Sequence, residues 1–277
     1  MDWLDALIMG VVQGLAEYLP ISSSGHLEIC REILGLDMKG AEALEFDVAL
    51  HVATVLSTIV VLWKEFLPLC RSFFTVARDD NFYYVCKILV SCIPVAIVGL
   101  CFKDVVEGFF GSGLGIVGTC LLVTAALLAF AYFFRRGEMA KDRVTGSNYG
   151  NREIGWLDAF VIGCAQAVAV LPGLSRSGST IATGLLLGDR RDKLAQFSFF
   201  MVIIPILGEA LLDIVKMLGE DAASSPSVGM IPITIGFIAS FVVGCLACKW
   251  MIELVKKGKL VWFAVYCAVV GVICLIW

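Results

Sequence analysis

Apolar stretches of about twenty residues alternate with short polar segments along most of the chain. Helices of this length cross the hydrocarbon core of a bilayer. The stretches predict membrane-spanning helices at about 47–63, 84–102, 114–134, 195–216, 230–249 and 259–277. Two further segments, at about 3–34 and 155–188, have apolar ends and a polar centre. Their pattern predicts helical hairpins that enter the membrane and return to the same side.

The polar centre of the first hairpin, residues 13–26, has the sequence QGLAEYLPISSSGH. It combines Glu17, three consecutive serines and His26 with the helix breakers Pro20 and Gly25. Backbone that breaks at membrane depth is tolerated only where it is buried in protein or lines a wet cavity. Polar groups at that depth usually serve a function. The segment therefore predicts a functional site.

This segment is repeated in the second half of the chain. A shift of 153 residues aligns residues 3–25 with residues 156–178 and gives ten identities in 23 positions without a gap. Arg176 stands in the second copy where the first copy has Ser23. So many identities indicate an internal duplication rather than a similarity of composition.

Each half of the chain contains one hairpin and three predicted spans. Because a hairpin returns to its own side and three spans change sides, the second half must be inverted relative to the first. This scheme places fifteen of the 21 lysines and arginines on one side, in the loops 64–83, 135–154, 189–194 and 249–259. The positive-inside rule assigns that side to the cytoplasm. Both termini and the mouth of the first hairpin then face outward.

The predicted fold is an all-α polytopic membrane protein with two inverted-topology repeats, each a re-entrant helical hairpin plus three transmembrane helices. Residues 1–277 form a single membrane domain, in which a cytoplasmic linker at about 136–154 joins repeat one (1–135) to repeat two (155–277). The composition agrees, since 59% of the residues are hydrophobic and 17% are charged. The net charge of −4 gives no indication of a nucleic-acid partner, so membrane lipids are the expected surroundings.

Arg176 is a fixed cation within an apolar protein, and its planar fork suits a phosphate or a carboxylate. Hydroxyl side chains and glycines surround it in the sequence, namely Ser175, Ser177, Ser179, Thr180, Gly173 and Gly178. A helix that begins near Ser177 would point free N–H groups at an anion. The three serines before Gly25 offer the same arrangement in the first hairpin.

Gln13 and Glu17 share a helix face at the spacing i, i+4, and magnesium is usually held by oxygen ligands beside phosphate. His26 follows the serines at a distance where it can act as acid, base or nucleophile. Together these groups indicate phosphoryl transfer. Each also has a structural explanation: serines bond to a carbonyl one turn back, Glu17 pairs with Arg176, and His26 is an interface histidine.

The segments GVVQGLAEYLPISSSGH and LPGLSRSGST resemble the two signature motifs of the bacterial undecaprenyl-pyrophosphate phosphatases, also called bacitracin-resistance proteins. The resemblance covers nearly the whole chain. It implies hydrolysis of undecaprenyl pyrophosphate to the monophosphate and inorganic phosphate, which recycles the lipid carrier of cell-wall synthesis. It also implies a location in the bacterial inner membrane, a divalent metal (Mg²⁺ or Ca²⁺) and an active site open to the periplasmic side.

Position by position, the resemblance implies catalytic roles for Glu17, Ser23, His26 and Arg176. It implies that Glu17 binds the metal with help from Gln13, which stands where the family motif has Glu or Gln. The serine-rich loops match phosphate-binding positions at Ser22, Ser24, Ser175, Ser177 and Thr180. Ser23 is the preferred nucleophile, with His26 and a water molecule as the alternatives.

Two other classes of function remain open at this level. Inverted repeats with broken helices are also the architecture of many carriers, so a transporter or flippase for a phosphorylated prenyl lipid is the main alternative, and a scaffold with a vestigial site is the third. Further candidates are Glu209 and Asp213, an i, i+4 carboxylate pair in a span, while His51 and Thr54 are interpreted as packing or hydrogen-bonding residues. The oligomeric state is open, and a homodimer is one arrangement compatible with the sequence.

Overall fold

The computed structural model describes residues 1–36, 38, 41–102, 105–106, 108–109, 113–145, 149–219 and 228–277, without the side chains of 41, 142–145 and 213–219. Helices are the regular secondary structure of these residues, joined by turns and short loops. The helices are α1 (Trp3–Ala16), α2 (Ser23–Leu34), α3 (Ala41–Val61), α4 (Trp63–Thr75), α5 (Asp80–Cys101), α6 (Leu114–Thr145), α7 (Trp156–Val168), α8 (Arg176–Leu187), α9 (Arg191–Met201), α10 (Ile203–Gly219), α11 (Met230–Lys256) and α12 (Val261–Ile276).

Five stretches in this fold are long and apolar enough to cross a membrane, at 42–61, 80–101, 114–141, 191–212 and 230–256. They correspond to the first five predicted spans. The sixth prediction falls on α12, an apolar helix of 16 residues. The chain is therefore an all-α, polytopic integral membrane protein, as the sequence predicts. The inverted orientation of the two halves stays a prediction.

Three boundaries differ from the sequence prediction. The segment 64–83, predicted as a loop, contains the helix α4, whose strongly amphipathic pattern is too short and too charged to be recognised as a span. Helix α6 continues to Thr145, well past the predicted end at 134, because the charged residues after 134 are good helix formers. The predicted span 195–216 is divided at Val202 into α9 and α10, since Pro205 has no N–H to bond the carbonyl of Met201.

The two predicted hairpins are present as α1–α2 and α7–α8, with closely matched helix lengths. Their first helices begin alike: the Asp5 carboxylate accepts the N–H of Asp2 and the Asp158 carboxylate accepts the N–H of Gly155, each at 2.9 Å. Asp2 also caps α1, by accepting the N–H groups of Leu4 and Asp5. The duplicated sequence therefore specifies the same local start of each hairpin.

Each hairpin packs against a long helix of the other half, α1 on α11 and α7 on α5. Both contacts depend on a repeated glycine. A Cβ atom on Gly10 would stand 2.9 Å from the Cβ of Ala239, and one on Gly163 would stand 2.8 Å from the Cα of Ser91. Small residues of this kind let membrane helices approach closely and gain dispersion contacts.

We expect Gly163→Ala to destabilise the protein by about 1–3 kcal/mol, because the added methyl group overlaps the backbone of α5. Gly99→Ala is the matched control, since no atom lies within 4 Å of its Cβ position and alanine favours the helix by up to about 1 kcal/mol. Melting temperatures in detergent would compare the two variants. Equal melting temperatures would contradict the packing argument.

At one end of the molecule, side chains cover the C-terminus of α8. This end is formed by the end of α6, residues 149–155 and the α8–α9 turn, and we call it the linker end. Arg135, only 2% exposed, donates to the carbonyls of Asp189 (2.8 Å) and Gly150 (3.2 Å). Tyr149 donates to the carbonyl of Leu185 (2.9 Å). These bonds supply donors to carbonyls that a helix end otherwise leaves unpaired.

Asp189 at the linker end is fully buried, and its carboxylate oxygens have no hydrogen-bond partner among the described residues. Burial, assisted by the negative charge of Asp158, raises the pKa of Asp189 to about 7. The folded protein then holds a proton that the unfolded chain has already released between pH 4 and 7, so stability falls as the pH rises through that window.

We expect Asp189→Asn to flatten this pH dependence and to raise the melting temperature at pH 8, where the wild-type carboxylate is ionised without a partner. Melting curves from pH 5 to pH 8 measure the effect. A wild-type melting temperature that rises over this interval, or a variant with the same slope, would show that Asp189 is not the responsible group.

Candidate functional site

The site is built from two helix N-termini with the same cap. Ser22 caps α2 by accepting the N–H of Gly25 (3.3 Å), and Ser175 caps α8 by accepting the N–H of Gly178 (3.0 Å). Ser22 has a φ of 71°, an unusual conformation for a residue with a side chain. Strain of this kind persists where the surrounding structure imposes it, and it is common at functional sites.

The two hairpin turns contact each other. The Cβ position of Gly25 lies 2.9 Å from the Cα of Gly173, and that of Gly178 lies 3.2 Å from the Cβ of Pro20. The Ser177 hydroxyl donates to the carbonyl of Leu19 at 3.1 Å, across the two halves of the chain. The structure therefore brings the predicted serine-rich loops together as the duplication suggested.

Glu17, at the end of α1, collects hydrogen bonds from the first hairpin. Its Oε2 accepts the Ser23 hydroxyl at 2.7 Å and the Gln13 side-chain N–H at 3.0 Å. The ring Nε2 of His51 lies 3.7 Å from the same oxygen, while its Nδ1 lies 2.8 Å from the carbonyl of Asp47. Glu17, at the end of α1, therefore fixes the position of the Ser23 hydroxyl at the start of α2.

Arg176, the first residue of α8, lines a cavity of about 20 Å³ together with Glu17. The remaining lining residues are Tyr18, Thr54, Val55, Thr58, Ser177, Ser198, Phe199, Val202 and Ile206. A volume of this size accommodates one water molecule.

His26 is placed differently from the other predicted residues. Its Nδ1 lies 2.8 Å from the Ser22 carbonyl, and its Nε2 lies 2.8 Å from the Tyr266 hydroxyl, against whose ring it stacks. The described contacts do not join His26 to Glu17, Ser23 or Arg176. The acid, base or nucleophile role of His26 stays a prediction, and of the two predicted nucleophiles only Ser23 is shown to bond to Glu17 in the described contacts.

The remaining predicted phosphate ligands fall into two groups. Ser24 lies 3.4 Å from the Ser22 hydroxyl, and Ser177 lies 3.5 Å from the Ser175 hydroxyl, so each helix start presents a pair of oxygens. Thr180, in contrast, bonds to the carbonyl of Arg176 at 2.9 Å and to the Ser198 hydroxyl at 2.6 Å. Thr180 therefore makes the bond to a carbonyl one turn back that the structural alternative expects.

Sequence reasoning gave His51 a packing or hydrogen-bonding role and gave Tyr18 and Tyr266 no role, yet all three contact or lie beside predicted site residues. His51, interpreted as a packing or hydrogen-bonding residue, lies against Glu17. Tyr18 donates to the Thr54 carbonyl at 2.6 Å and lines the cavity beside Glu17. Tyr266, in the C-terminal helix, has its hydroxyl within 2.8 Å of the His26 ring. An ionisable ring inside a predicted span was the available signal for His51.

The other predicted carboxylate pair is not assembled in the part of the chain that the structure describes. Glu209 is exposed on α10, and the side chain of Asp213 lies outside the described residues. The described residues also contain no group of three or more His, Cys, Asp and Glu side chains arranged to hold a metal ion.

The residues present nevertheless fit a divalent cation shared with a phosphorylated ligand. The Oε1 atom of Gln13 is buried without a hydrogen-bond partner among the described residues, so it has free lone pairs beside the Glu17 carboxylate. Carboxylate and amide oxygens are the ligands of magnesium and calcium, and magnesium usually takes its further ligands from phosphate and water. Glu17 and Gln13 are therefore the side chains that would hold such an ion.

The fold and the site define a class: polytopic helical membrane proteins with a polar site where two helical hairpins meet. Within this class, residues 6–273 match the family model described as "Bacitracin resistance protein BacA". The chain belongs to this family.

Curated relatives match over almost their full lengths. A protein of Parabacteroides distasonis is 57% identical over 274 residues, which is 99% of this chain and 97% of the relative. A protein of Bacteroides thetaiotaomicron is 56% identical over 273 residues, 98% and 97% respectively. A more distant protein of Carboxydothermus hydrogenoformans is 36% identical over 276 residues, 100% and 97% respectively. All three are named undecaprenyl-diphosphatase.

Proposed function

We propose that this protein hydrolyses undecaprenyl pyrophosphate to undecaprenyl phosphate and inorganic phosphate. This reaction regenerates the lipid carrier of cell-wall synthesis and confers resistance to bacitracin. The names of the full-length relatives support the proposal. One structural observation carries the proposal. The Ser23 hydroxyl, at the start of α2, is bonded to Glu17, and Glu17 lines a cavity together with Arg176 at the start of α8.

The anion is bound by the two facing helix N-termini. Free N–H groups and the positive ends of the helix dipoles attract phosphate, and the hydroxyl pairs Ser22–Ser24 and Ser175–Ser177 lie beside them. Ser177 donates to phosphate when its bond to the Leu19 carbonyl is exchanged for one to the ligand. The guanidinium fork of Arg176 binds two phosphoryl oxygens at once. Negative charge that develops on the transferred phosphoryl group is then stabilised by groups already in position.

Ser23 attacks the terminal phosphorus. Glu17 accepts the proton of the Ser23 hydroxyl as the oxygen–phosphorus bond forms, and the bond to the bridging oxygen breaks to release undecaprenyl phosphate. A water molecule then attacks the phosphoserine phosphorus, Glu17 returns its proton to the departing Ser23 oxygen, and the protons of the water leave with the inorganic phosphate. His26 holds the carbonyl of Ser22 and thereby orients the turn that carries the nucleophile.

A divalent metal, Mg²⁺ or Ca²⁺, held by Glu17 and Gln13 would neutralise charge on the pyrophosphate oxygens. The site lies in the bacterial inner membrane and opens to the periplasmic side, and both termini are periplasmic. The excess of basic residues in the loops of the opposite side supports this orientation. The polyprenyl tail lies among the membrane lipids beside the spans.

Phosphate release by purified protein in detergent tests the proposal. We expect release from undecaprenyl pyrophosphate with magnesium or calcium and none with a chelator. Detergent removes the two compartments, so a transporter or flippase alone would bind the lipid without releasing phosphate. Binding without release, from protein with a cooperative melting transition, would therefore reject the phosphatase and favour the carrier. The absence of both would point to a scaffold.

A further inference from the structure

The linker end contains a second polar feature, remote from the proposed catalytic site. It is an open depression of about 500 Å³, lined by Arg135, Met139, Gly150, Asn151, Arg190, Arg191, Asp192 and Lys256. Four of these side chains are cationic and one is a carboxylate. Arg135 covers the C-terminal end of α8, and the twelve residues of that helix separate it from Arg176 by about 18 Å.

We infer that this depression is a binding site for a phosphoryl anion, in particular the phosphate of a membrane-lipid headgroup. The inference is independent of the proposed phosphatase activity, because it uses other residues at the other end of α8.

Two of the four cations already have carboxylate partners, since Arg190 pairs with Glu153 and Asp192, each at 2.8 Å, and Lys256 lies 3.6 Å from Glu253. The other two cations, Arg135 and Arg191, differ from them. Arg135 bonds only to main-chain carbonyls, and the Nε atoms of Arg135 and Arg191 are buried without a hydrogen-bond partner among the described residues. Asp192 is paired with Arg190 at 2.8 Å and does not bond to the guanidinium groups of Arg135 and Arg191. A buried donor without an acceptor is costly, so these two groups favour an added anion.

Asp189 does not replace that anion. It is buried near Arg135, yet neither of its carboxylate oxygens accepts a hydrogen bond from the described residues. Burial also keeps its pKa at about 7, so its negative charge is only partial near neutral pH.

The backbone around the depression also favours the binding of an anion. Helix α9 starts at the depression, and its N-cap residue, Arg190, makes no side-chain capping bond. The positive end of α9 therefore lies at the depression, with Asp192 as the acidic residue of its first turn. Gly258 lets the guanidinium group of Arg191 lie close to the backbone, since a Cβ atom there would stand 2.9 Å from the guanidinium carbon. A planar fork held beside a helix N-terminus matches the tetrahedral oxygens of a phosphate group.

The position favours a lipid over a free anion. The depression lies where the spans α6, α9 and α11 end, between residues 135–141, 190–192 and 256. Lipid headgroups lie at this level of a membrane, and basic pockets between the ends of spans are a recurring way to bind anionic lipids.

The test uses the full-length protein in an uncharged detergent. The probes are dioctanoyl phosphatidylglycerol and dioctanoylglycerol, which has the same tails without the phosphate. We expect the wild type to bind the first at least about tenfold more tightly than the second, and Arg191→Gln to weaken the first by about tenfold. Lys64→Gln removes one exposed charge outside the depression and should change binding less than twofold.

Two further measurements show whether the lipid binds at the depression and whether free phosphate competes with it. Arg176→Ala should bind phosphatidylglycerol like the wild type, which separates the depression from the catalytic site. Inorganic phosphate that displaces the lipid would show that free phosphate occupies the same site, whereas no displacement would identify the lipid as the ligand. Equal binding of the two lipid probes, or equal losses in Arg191→Gln and Lys64→Gln, would overturn the proposal.

Folding of the variants is checked by melting temperature and by phosphate release. If Arg191→Gln melts more than a few degrees below the wild type, Lys256→Gln decides instead. The Lys256 side chain is 45% exposed and is joined to Glu253 only at 3.6 Å, so its removal leaves the fold intact. We expect Lys256→Gln to weaken phosphatidylglycerol binding by about threefold. An unchanged affinity in this well-folded variant would count against the site.

Discussion

Replacing Arg176 with alanine should lower the rate of phosphate release by about 10³–10⁵-fold, the range found for arginines that stabilise a transferred phosphoryl group. The guanidinium lines the cavity beside Glu17 and is the first residue of α8, so its charge and the helix N-terminus act on the same anion. Steady-state kinetics on undecaprenyl pyrophosphate in detergent, with magnesium present, would measure the effect.

Arg176→Lys is the matched variant, because it keeps the charge and removes the planar fork. We expect it to recover only a small part of the lost rate. If lysine restores the wild-type rate, the fork has no special role and a simple positive charge is sufficient. If Arg176→Ala itself turns over at the wild-type rate with a normal melting temperature, the phosphoryl group is not bound at this helix start.

Replacing Ser23 with alanine should reduce turnover by about 10³-fold or more, because it removes the proposed nucleophile. The structure supports this choice, since the Ser23 hydroxyl donates to Glu17 at 2.7 Å. Rapid quenching followed by intact-mass measurement should detect a phosphorylated wild-type enzyme. The same measurement on Ser23→Ala should detect none.

Ser24→Ala is the control for Ser23, since it removes a neighbouring hydroxyl that lies 3.4 Å from Ser22 and has no bond to Glu17. Loss of one neutral phosphate contact should cost only about tenfold. A Ser23→Ala variant with near-normal turnover would exclude the serine. In that event, a complete loss in His26→Ala would assign the attack to His26, and a partial loss would leave water as the nucleophile.

The hairpins were predictable because their signal is local. Asp at the third helical position, a serine cap and a glycine three residues later all act within one turn of the chain, and the duplication presents them twice. The starts of α2 and α8 therefore follow from the sequence. The loop prediction at 64–83 was wrong because α4 is a short amphipathic helix, and length and hydropathy alone do not distinguish it from a charged loop.

The partners within the site were harder to predict, because they depend on packing between distant segments. His26 meets Tyr266, 240 positions further along the chain, and His51 reaches Glu17 from the first span. Spacing alone placed His26 near the serines, but it could not show that both ring nitrogens are engaged elsewhere. The pairing of Ser23 with Glu17 likewise depends on the turn at Pro20, whose geometry no periodicity specifies.

Ser23 and Arg176 occupy the same position of the repeat, each as the first residue of its helix. A symmetric dimer of identical single-repeat chains would carry two serines or two arginines at this position, never one of each. Joining two copies in one gene allows the position to diverge, so that one copy supplies an attacking oxygen and the other a positive charge. Each half of the chain therefore carries only one of the two side chains that the proposed reaction needs, and neither half carries both.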